Sequence, residues 1–571
     1  MNRNVESHFA LNPTNIDIRR STFDRSHSLK TSFNVGDIVP FFLDEVLPGD
    51  TFNVDTSKVV RLQTLLTPVM DNIYLDTYFF FVPNRLTWSH WKQFNGENTE
   101  SAWIPQTEYE IPQITAPASG GWSVGTIADY LGVPTGVPNL SVSALPFRAY
   151  ALVMNEWFRD ENLSDPLVVP VDDATVAGVN TGTFVTDVCK GGLPYKAAKY
   201  HDYFTSCLPS PQKGPDVTIP VAEAGNYAVV GNGKGLAWTD GSHVGSAVPA
   251  AGNYTGFTSY VGLGTSVGSA FSDSQWFGTS KVGGVPTQAQ LGNDLSNSGL
   301  VAISTGNAQA ATINQLRMAF QIQKLYEKDA RGGSRYIEIL KSHFGVTSPD
   351  ARLQRPEYLG GNRVPININQ VVQNSATAEG ETAQGTVTGM SVTTDTHSDF
   401  TKSFTEHGFV IGVMVARYDH TYQQGLERFW SRKDRFDYYW PVFANIGEQA
   451  VKNKEIFAQG PGKKDSAGNV IDDQVFGYQE AWADYRYKPS RVTGEMRSQY
   501  SQSLDVWHLA DDYEALPSLS DSWIREDKSN VDRVLAVTSS VSNQLFADIY
   551  IKNRTTRPMP MYSIPGLIDH H

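Results

Sequence analysis

The sequence predicts an all-β fold with helical insertions, in which a sandwich or barrel carries long inserted loops. Two runs of residues, 73–82 and 409–416, are apolar on both faces of an extended chain. Helical periodicity is confined to a few segments, and long connections rich in glycine and proline separate many short β-like runs. Strands covered on both faces lie inside a sheet that packs against other layers, so these observations favour a sandwich or barrel with large insertions.

The run IYLDTYFFFV, residues 73–82, is the clearest strand. Its odd-numbered residues are Ile, Leu, Thr, Phe and Phe, and its even-numbered residues include Tyr, Phe and Val. Because successive side chains alternate between the two faces of a strand, both faces of this run are largely apolar. It is therefore predicted to be a central strand. The longer stretch that contains it, residues 47–88, has turns at Pro48-Gly49-Asp50 and Pro83-Asn84.

Later runs supply partners for this strand. Residues 409–416 alternate in the same way and are predicted to pair with it. Two further strands are predicted near the C-terminus, RVLAVTS from Arg533 and QLFADIYIKN from Gln544.

Two segments have helical spacing. Residues 146–162 place apolar side chains three and four positions apart, and Pro146 suits a first helical turn. A second helix is predicted to begin after Thr312 and to end at Gly332-Gly333. The second helix would return the chain to its scaffold.

The ends and the middle of the chain divide it by composition. Residues 1–30 are polar and without periodicity, which predicts an extended N-terminal arm, and residues 31–571 are predicted to form the main domain. Within that domain, residues 211–310 contain 18 of the 48 glycines. Their short β-like runs and aromatic residues favour a turn-rich β insertion over a disordered linker, which is the alternative.

Composition excludes several classes of protein. A net charge of -14 argues against a general binder of nucleic acid or anionic membranes, although a local basic patch stays open. Cys189 and Cys207 are the only cysteines, which excludes a zinc ribbon or a disulfide scaffold and favours a reducing compartment. No signal peptide or membrane-spanning run occurs in the sequence, so synthesis in a cytoplasm is expected.

Catalytic and metal-binding motifs are weak. GNGKG at Gly231 and GPGKK at Gly460 lack the spacing of a phosphate-binding loop. Glu406-His407 could act as an acid and base pair, and Asp569-His570-His571 could bind a metal, but a structural histidine and a loose polar tail explain them more simply. We predict no catalytic, cofactor-binding or metal-binding residues.

Basic and aromatic residues alternate in RFWSRKDRFDYYWP, residues 428–441. Such a segment has the groups that hold backbone phosphates and stack bases in single-stranded nucleic acid. The alternative is a core edge or interface with salt bridges to Glu427, Asp434 and Asp437.

Nine motifs, in one order along nearly the whole chain, resemble those of the major capsid proteins of gokushoviruses, which are small single-stranded DNA phages of the Microviridae. The motifs are EVLPGDTF, MDN…LDTYFFFVPNRL, ALPFRAY…NEWFRDENL, DYFTSCLPSPQKG, INQLRMAFQIQKLYEKDARGGSRYIE, SPDARLQRPEYLGG, TYQQGLERFWSRKDRFDYYWP, FGYQEAWADYRYKPS and RPMPMYSIPGLIDH. The resemblance is weakest between about residues 214 and 310.

The resemblance implies a single eight-stranded viral jelly roll. It also implies a structural protein that self-assembles into a T=1 icosahedral shell around a circular single-stranded DNA genome. The insertion at residues 211–310 would form a protrusion at the threefold axes that contacts a host receptor. An internal scaffolding protein and a small internal DNA-binding protein would be further partners, and no membrane insertion is expected.

For the genome we expect weak, sequence-independent contacts by a few basic residues. They are Arg19, Arg20, Arg25, Arg432, Lys433 and Arg435. The rival function is a carbohydrate-binding or carbohydrate-cleaving β-sandwich protein, which the acidic balance and the many Trp and Tyr residues would also suit.

Overall fold

A computed structural model describes residues 19–99, 107–217, 313–375 and 382–562, together with the backbone of short strands between residues 228 and 303. The chain forms two compact units. One comprises Met1–Gly214 and Tyr326–His571, and the other comprises Pro215–Leu325.

Nine core strands form two sheets in the first unit. They are β1 Ser21–Asp24, β2 His27–Phe33, β3 Val39–Val46, β4 Thr51–Leu62, β5 Ile73–Pro83, β6 Glu357–Pro365, β7 Thr393–Ser403, β8 Gly408–Tyr418 and β9 Leu545–Arg557. In one sheet the order is β1-β9-β4-β7, and β2 also pairs with β9; in the other the order is β6-β5-β8-β3. All of these pairs are antiparallel. The protein is therefore mostly β-sheet with a few helices, as the sequence predicted.

The two-faced character of β5 is confirmed. Leu75 and Phe79 pack into a cluster shared with β4, β8 and β9, so this face meets the other sheet. Phe80 and Val82 pack into a second cluster on the opposite face. The predicted pairing with β8 is also confirmed, because Ile73–Pro83 aligns residue for residue with Gly408–Tyr418.

The second cluster is covered by the excursion that follows β5. Helix α1, Leu145–Val153, has Pro146 in its first turn and continues as a π-helix over Met154–Phe158. Phe147 and Tyr150 are buried against the outer face of the second sheet, and the Tyr150 hydroxyl donates to the Ile38 carbonyl at 2.6 Å. The helix that the sequence predicted thus forms a layer on this sheet.

The other long helices follow the insertion. Helix α2 spans Ile313–Gly332, and α3 spans Tyr336–Phe344. Gly333, between them, has a φ of +99°, which a residue with a side chain rarely adopts. The predicted end of the second helix is therefore confirmed, while its predicted cap Thr312 lies outside the described residues.

One predicted strand is wrong. The run from Arg533 is the end of a short helix, Ser529–Val534, followed by a turn. Val531 and Val534 are fully buried at helical spacing, and the Asp532 carboxylate accepts hydrogen bonds from the Ser539 backbone N–H and the Gln544 amide. Burial of two valines on one helical face outweighed the β propensity of the run.

The remaining elements of the first unit are short. The strands are Gln113–Thr115, Ser141–Ser143, Val176–Ala177, Ile368–Val372, Val387–Ser391, Thr421–Tyr422, Glu448–Lys452, Val475–Glu480 and Ser490–Arg491. The α-helices are Asn84–Thr87, Trp91–Phe94, Ile127–Tyr130, Asn453–Ile456, Ala483–Arg486 and Asp521–Ile524. The 3-10 helices are Val188–Lys190, Arg428–Ser431, Arg435–Asp437, Pro441–Phe443, Ile471–Asp473, Gly494–Met496 and Asp505–Trp507.

Two predicted segments are described only in part. Of the predicted arm, residues 1–18 lie outside the described residues, while β1 and the start of β2 belong to the first sheet. Of residues 211–310, residues 211–217 are described in full, and beyond them the backbone is described for seven short strands. They are Ala228–Gly231, Ala237–Thr239, Val244–Ser246, Thr279–Val282, Val285–Gln288, Gln290–Leu291 and Leu300–Ile303.

Gly412 in β8 is closely packed against side chains of β3 and β5, its two neighbours in the second sheet. A Cβ there would lie 2.8 Å from the Cβ of Phe42 and 2.8 Å from a ring carbon of Phe79. We expect Gly412→Ala to destabilise the protein by about 1–3 kcal/mol, measured by urea unfolding, because the close-packed core must shift. Gly462→Ala is the matched control, since no atom lies within 4 Å of the added Cβ. Equal unfolding midpoints for the two variants would contradict the packing described.

Candidate nucleic-acid interface

The basic and aromatic segment at residues 428–441 folds as a series of short 3-10 helices beside a third hydrophobic cluster. That cluster contains Phe204, Tyr422, Val451 and Ile456. The segment has no regular strand or long helix, so its side chains are fixed by ion pairs and ring contacts.

Arg428 anchors the start of the segment. Its guanidinium donates to the Glu455 carboxylate at 2.9 Å and to the Ala450 carbonyl. Tyr203 donates to the same carboxylate at 2.8 Å. Burial opposes the charge of Arg428, yet Glu455 raises the pKa of the guanidinium above its usual value. Arg428 therefore stays charged and structural.

Arg432 is the second anchor and is 8% exposed. Its guanidinium pairs with Asp484 and lies over the ring of Tyr485, 4.4 Å from the centroid. Burial raises the pKa of the Asp484 carboxyl above its usual value, and the Arg432 charge only partly offsets this rise. The Arg432 Nε has no hydrogen-bond partner among the described residues.

The salt-bridge alternative holds for the buried part of the segment, with other carboxylates than those expected. Glu455 and Asp484 pair with its arginines, whereas Glu427 pairs with Lys488 at 3.2 Å and Arg491 at 3.0 Å. Asp437 accepts from the backbone N–H groups of residues 433 and 434.

The outer part of the segment is exposed. Lys433 and Arg435 are both exposed, and Arg435 lies over the Phe436 ring, 4.7 Å from its centroid. Five rings between residues 430 and 440 are each 45% to 67% exposed. They are Trp430, Phe436, Tyr438, Tyr439 and Trp440.

The three N-terminal arginines lie elsewhere, on the edge of the first sheet. Arg25 pairs with Asp44 of β3, and the guanidinium of Arg20 lies against Gly49. Arg19 is exposed. The structure thus brings together Arg432, Lys433 and Arg435 in one segment, and Arg19, Arg20 and Arg25 in another.

A cavity of about 440 Å³ adjoins the basic segment, and the chain from residue 484 to 497 forms its other wall. A parallel pair of short strands, Thr421–Tyr422 with Ser490–Arg491, holds that wall in place. Lys488, Arg491 and Arg497 there were missed as candidate residues. The available signal was the second run of basic and aromatic residues, ADYRYKPSR, at 483–491.

The residues considered for chemistry have structural contacts. Glu406 accepts from the Arg85 guanidinium at 2.6 Å, and the His407 ring lies edge-on to Trp91. Asp569-His570-His571 lies outside the described residues. Among the described residues, no group of three or more His, Cys, Asp and Glu side chains is placed to hold a metal ion. Within the same residues, no helix has the length and apolar character to cross a membrane.

Comparison with known proteins gives the family. A sequence model described as "Capsid protein (F protein)" matches residues 13–567. The chain belongs to this phage capsid protein family. The capsid protein VP1 of Chlamydia phage 1 is 43% identical over 99% of this chain and 98% of its own length. Those of Spiroplasma virus 4 and Bdellovibrio phage phiMH2K are each 42% identical, over 96% and 99% of this chain and 96% and 98% of their own lengths.

These matches confirm the resemblance to gokushovirus capsid proteins that nine sequence motifs had indicated. They extend over nearly the full chain, so both sheets and the basic segment belong to the matched region. The role of a capsid protein is a structural one, and the carbohydrate-active alternative is not favoured.

Proposed function

We propose that copies of this chain assemble into a closed T=1 icosahedral shell around a circular single-stranded DNA genome, and that the chain has no catalytic role. The family match over residues 13–567 carries this proposal. The virion would be its location, after synthesis and assembly in the cytoplasm of a bacterial host.

The shell wall would be a single eight-stranded jelly roll. β1 and β2 both pair with β9, one after the other, so they can be counted as one interrupted edge strand. Each sheet then has four members, and one hydrophobic cluster lies between them. Two facing four-stranded antiparallel sheets are the layout of a viral jelly roll.

Exposed apolar residues support association with further copies. Val442 is 88% exposed, and Trp440 and Ile446 are each about half exposed. Exposed apolar side chains grouped in one short segment are typical of an interface, and aromatic residues are enriched at the centres of interfaces. We assign residues 440–446 to a contact between subunits.

We expect Val442→Asp to prevent shell formation without unfolding the chain. A carboxylate buried in an apolar interface without a partner costs several kcal/mol, and every copy in the shell would carry it. Electron microscopy and sedimentation of the expressed full chain would measure assembly, and circular dichroism would check folding.

Val541→Asp is the matched control, since Val541 is 80% exposed in a different loop. We expect this variant to form shells. Normal shells from Val442→Asp would show that residues 440–446 are not an interface. A wild-type chain that stays monomeric across pH and salt would refute the assembly proposal itself.

The other partners are proposals from the family resemblance. The basic residues expected to contact the genome are Arg19, Arg20, Arg25, Arg432, Lys433 and Arg435. Ordered nucleotides that lie against none of them in a particle map would refute that assignment. An internal scaffolding protein, a small internal DNA-binding protein and a host receptor would complete the set.

Residues 211–310 would form the threefold protrusion that contacts the receptor. Pro215–Leu325 forms a compact unit of its own, which supports this assignment. We expect deletion of residues 216–305 to leave shells with smooth threefold axes in electron micrographs. Loss of folding instead would show that the segment belongs to the core.

A further inference from the structure

We propose that the cavity between residues 422–432 and 484–497 holds one unpaired nucleotide of single-stranded DNA, with the base inside and its phosphates on the cations at the rim. This inference rests on the proposed packaging of such a genome and assigns it a specific site. The rings and the charges of the cavity carry the argument.

The rings supply a stacking surface. Phe429 and Trp430 line one side of the cavity and lie against each other, with centroids 4.7 Å apart. Tyr485 and Tyr487 line the other side, and each is 52% exposed. Aromatic side chains stack on any of the four bases because every base has a π face. A volume of about 440 Å³ falls within the range of about 300–1000 Å³ found for small-ligand pockets.

The charges favour an anion at the rim. Five cations line the cavity against three carboxylates, although the whole chain carries a net charge of -14. Arg428 and Arg432 are paired and have side chains only 15% and 8% exposed, whereas those of Lys488 and Arg491 are 65% and 61% exposed. The exposed pair shares a single carboxylate, Glu427, so one positive charge is left over for a phosphate.

A nucleotide fits these features better than a peptide. The excess of cations would repel a basic peptide, and an acidic peptide would use the cations while leaving the exposed rings unstacked. Single-stranded nucleic acid needs both charge and rings, and this cavity has both on facing walls.

The test compares two probes on the unassembled full-length chain by fluorescence anisotropy. One probe is a 15-nucleotide oligothymidylate, and the other is an abasic strand of the same length and charge. We expect the first to bind at least about fivefold more tightly, because a stacked base contributes at least this much to affinity. Trp430→Ala and Tyr485→Ala should each reduce this preference and leave the abasic affinity unchanged.

Charge at the rim is tested separately. Arg491→Ala should weaken the binding of both probes by a similar factor. It should also lower the salt dependence of binding by the equivalent of about one phosphate contact. Tyr550→Ala and Lys463→Ala are controls, since both residues are exposed and neither lines the cavity. We expect both controls to bind like the wild type, and circular dichroism would confirm that each variant is folded.

Equal affinity of the wild type for the two probes would overturn the proposal. An unchanged preference for the thymidylate in both ring variants would also overturn it. So would a polyglutamate peptide of equal charge, if it displaced the thymidylate and lost as much affinity in the ring variants as the thymidylate does. If electron microscopy shows shells but the chain binds both probes equally, the cavity assignment alone is refuted. If the chain prefers the thymidylate probe but forms no shells, the assembly proposal alone is refuted.

Discussion

Replacing Asp76 by alanine is expected to destabilise the protein by about 3–5 kcal/mol, the usual cost of removing one partner from a buried ion pair. Asp76 lies in the middle of β5 and is 1% exposed. It sits on the face opposite the main core, where the neighbouring residues of the strand are apolar or aromatic. The variant would leave two guanidinium groups without their shared carboxylate.

The contacts of Asp76 explain the size of the effect. Its carboxylate accepts from Arg363 of β6 at 2.7 Å, from Arg417 of β8 at 2.6 Å and from the Tyr200 hydroxyl at 2.9 Å. Both guanidinium groups also lie over the Tyr200 ring, within 4.5 Å of its centroid. One carboxylate thus joins three neighbouring strands and a loop. Burial alone would raise the pKa of Asp76, but the hydrogen bond from Arg363 and the charge of Arg417 lower it.

Urea unfolding of the full chain at neutral pH would measure the effect. Asp548→Ala is the control. Asp548 is exposed on β9 and forms a surface ion pair with the exposed Lys30, at 3.6 Å. Surface pairs of that kind contribute about 0–1 kcal/mol. A loss below about 1 kcal/mol for Asp76→Ala would mean that the network carries no more stability than an exposed pair.

The strands of the core were predictable because their signal is local. In β5 and β8, alternation of apolar residues follows directly from the geometry of a strand, so both strands and their pairing could be found without coordinates. The wrong prediction of a strand from Arg533 also comes from relying on a local signal. A short run of valine and leucine satisfies a strand and a single helical turn equally well, and only packing of Val531 and Val534 decides between them.

The polar networks were not predictable because their members are far apart in sequence. Asp76 meets Arg363 and Arg417 across 287 and 341 positions. In the candidate interface, the first wall was found from the sequence, whereas Lys488 and Arg491 join it only through the pairing of Thr421–Tyr422 with Ser490–Arg491. No periodic pattern reports such contacts, so the sequence located half of the cavity.

Replacing His420 by glutamine is expected to cost about 3–5 kcal/mol at pH 7, for a related reason. His420 is 1% exposed at its side chain and lies between two buried carboxylates. Its Nδ1 is 2.9 Å from Asp511 and its Nε2 is 3.0 Å from Glu526. Both ring nitrogens donate only when the ring is protonated, so the site is built for the imidazolium. Without it, the two carboxylates lose their shared cation, and Lys199 is left at 3.7 Å from Asp511.

This arrangement gives stability a definite pH dependence. Burial would lower the pKa of His420, but the charges of Glu526 and Asp511 raise it to about 10 from 6.5. A raised histidine pKa stabilises the folded state fully below pH 6.5, and this contribution is lost as the pH rises through about 10. For Asp511, burial would raise the pKa, but the charge of His420 lowers it, so its contribution is present above pH 3.8 and is lost as the pH falls.

Unfolding free energies of the wild type and of His420→Gln, measured from pH 5 to pH 10.5, would test the direction of this pH dependence. The wild type should lose stability steadily above pH 6.5, and His420→Gln should lose much less over the same interval because its side chain does not titrate. His27→Ala is the control, since it removes an exposed histidine of β2 and leaves the contacts of His420 with Asp511 and Glu526 intact. Parallel profiles for the wild type and His420→Gln would show that the ring is neutral in the folded protein. In that case one of the two carboxylates beside it would have to hold the proton.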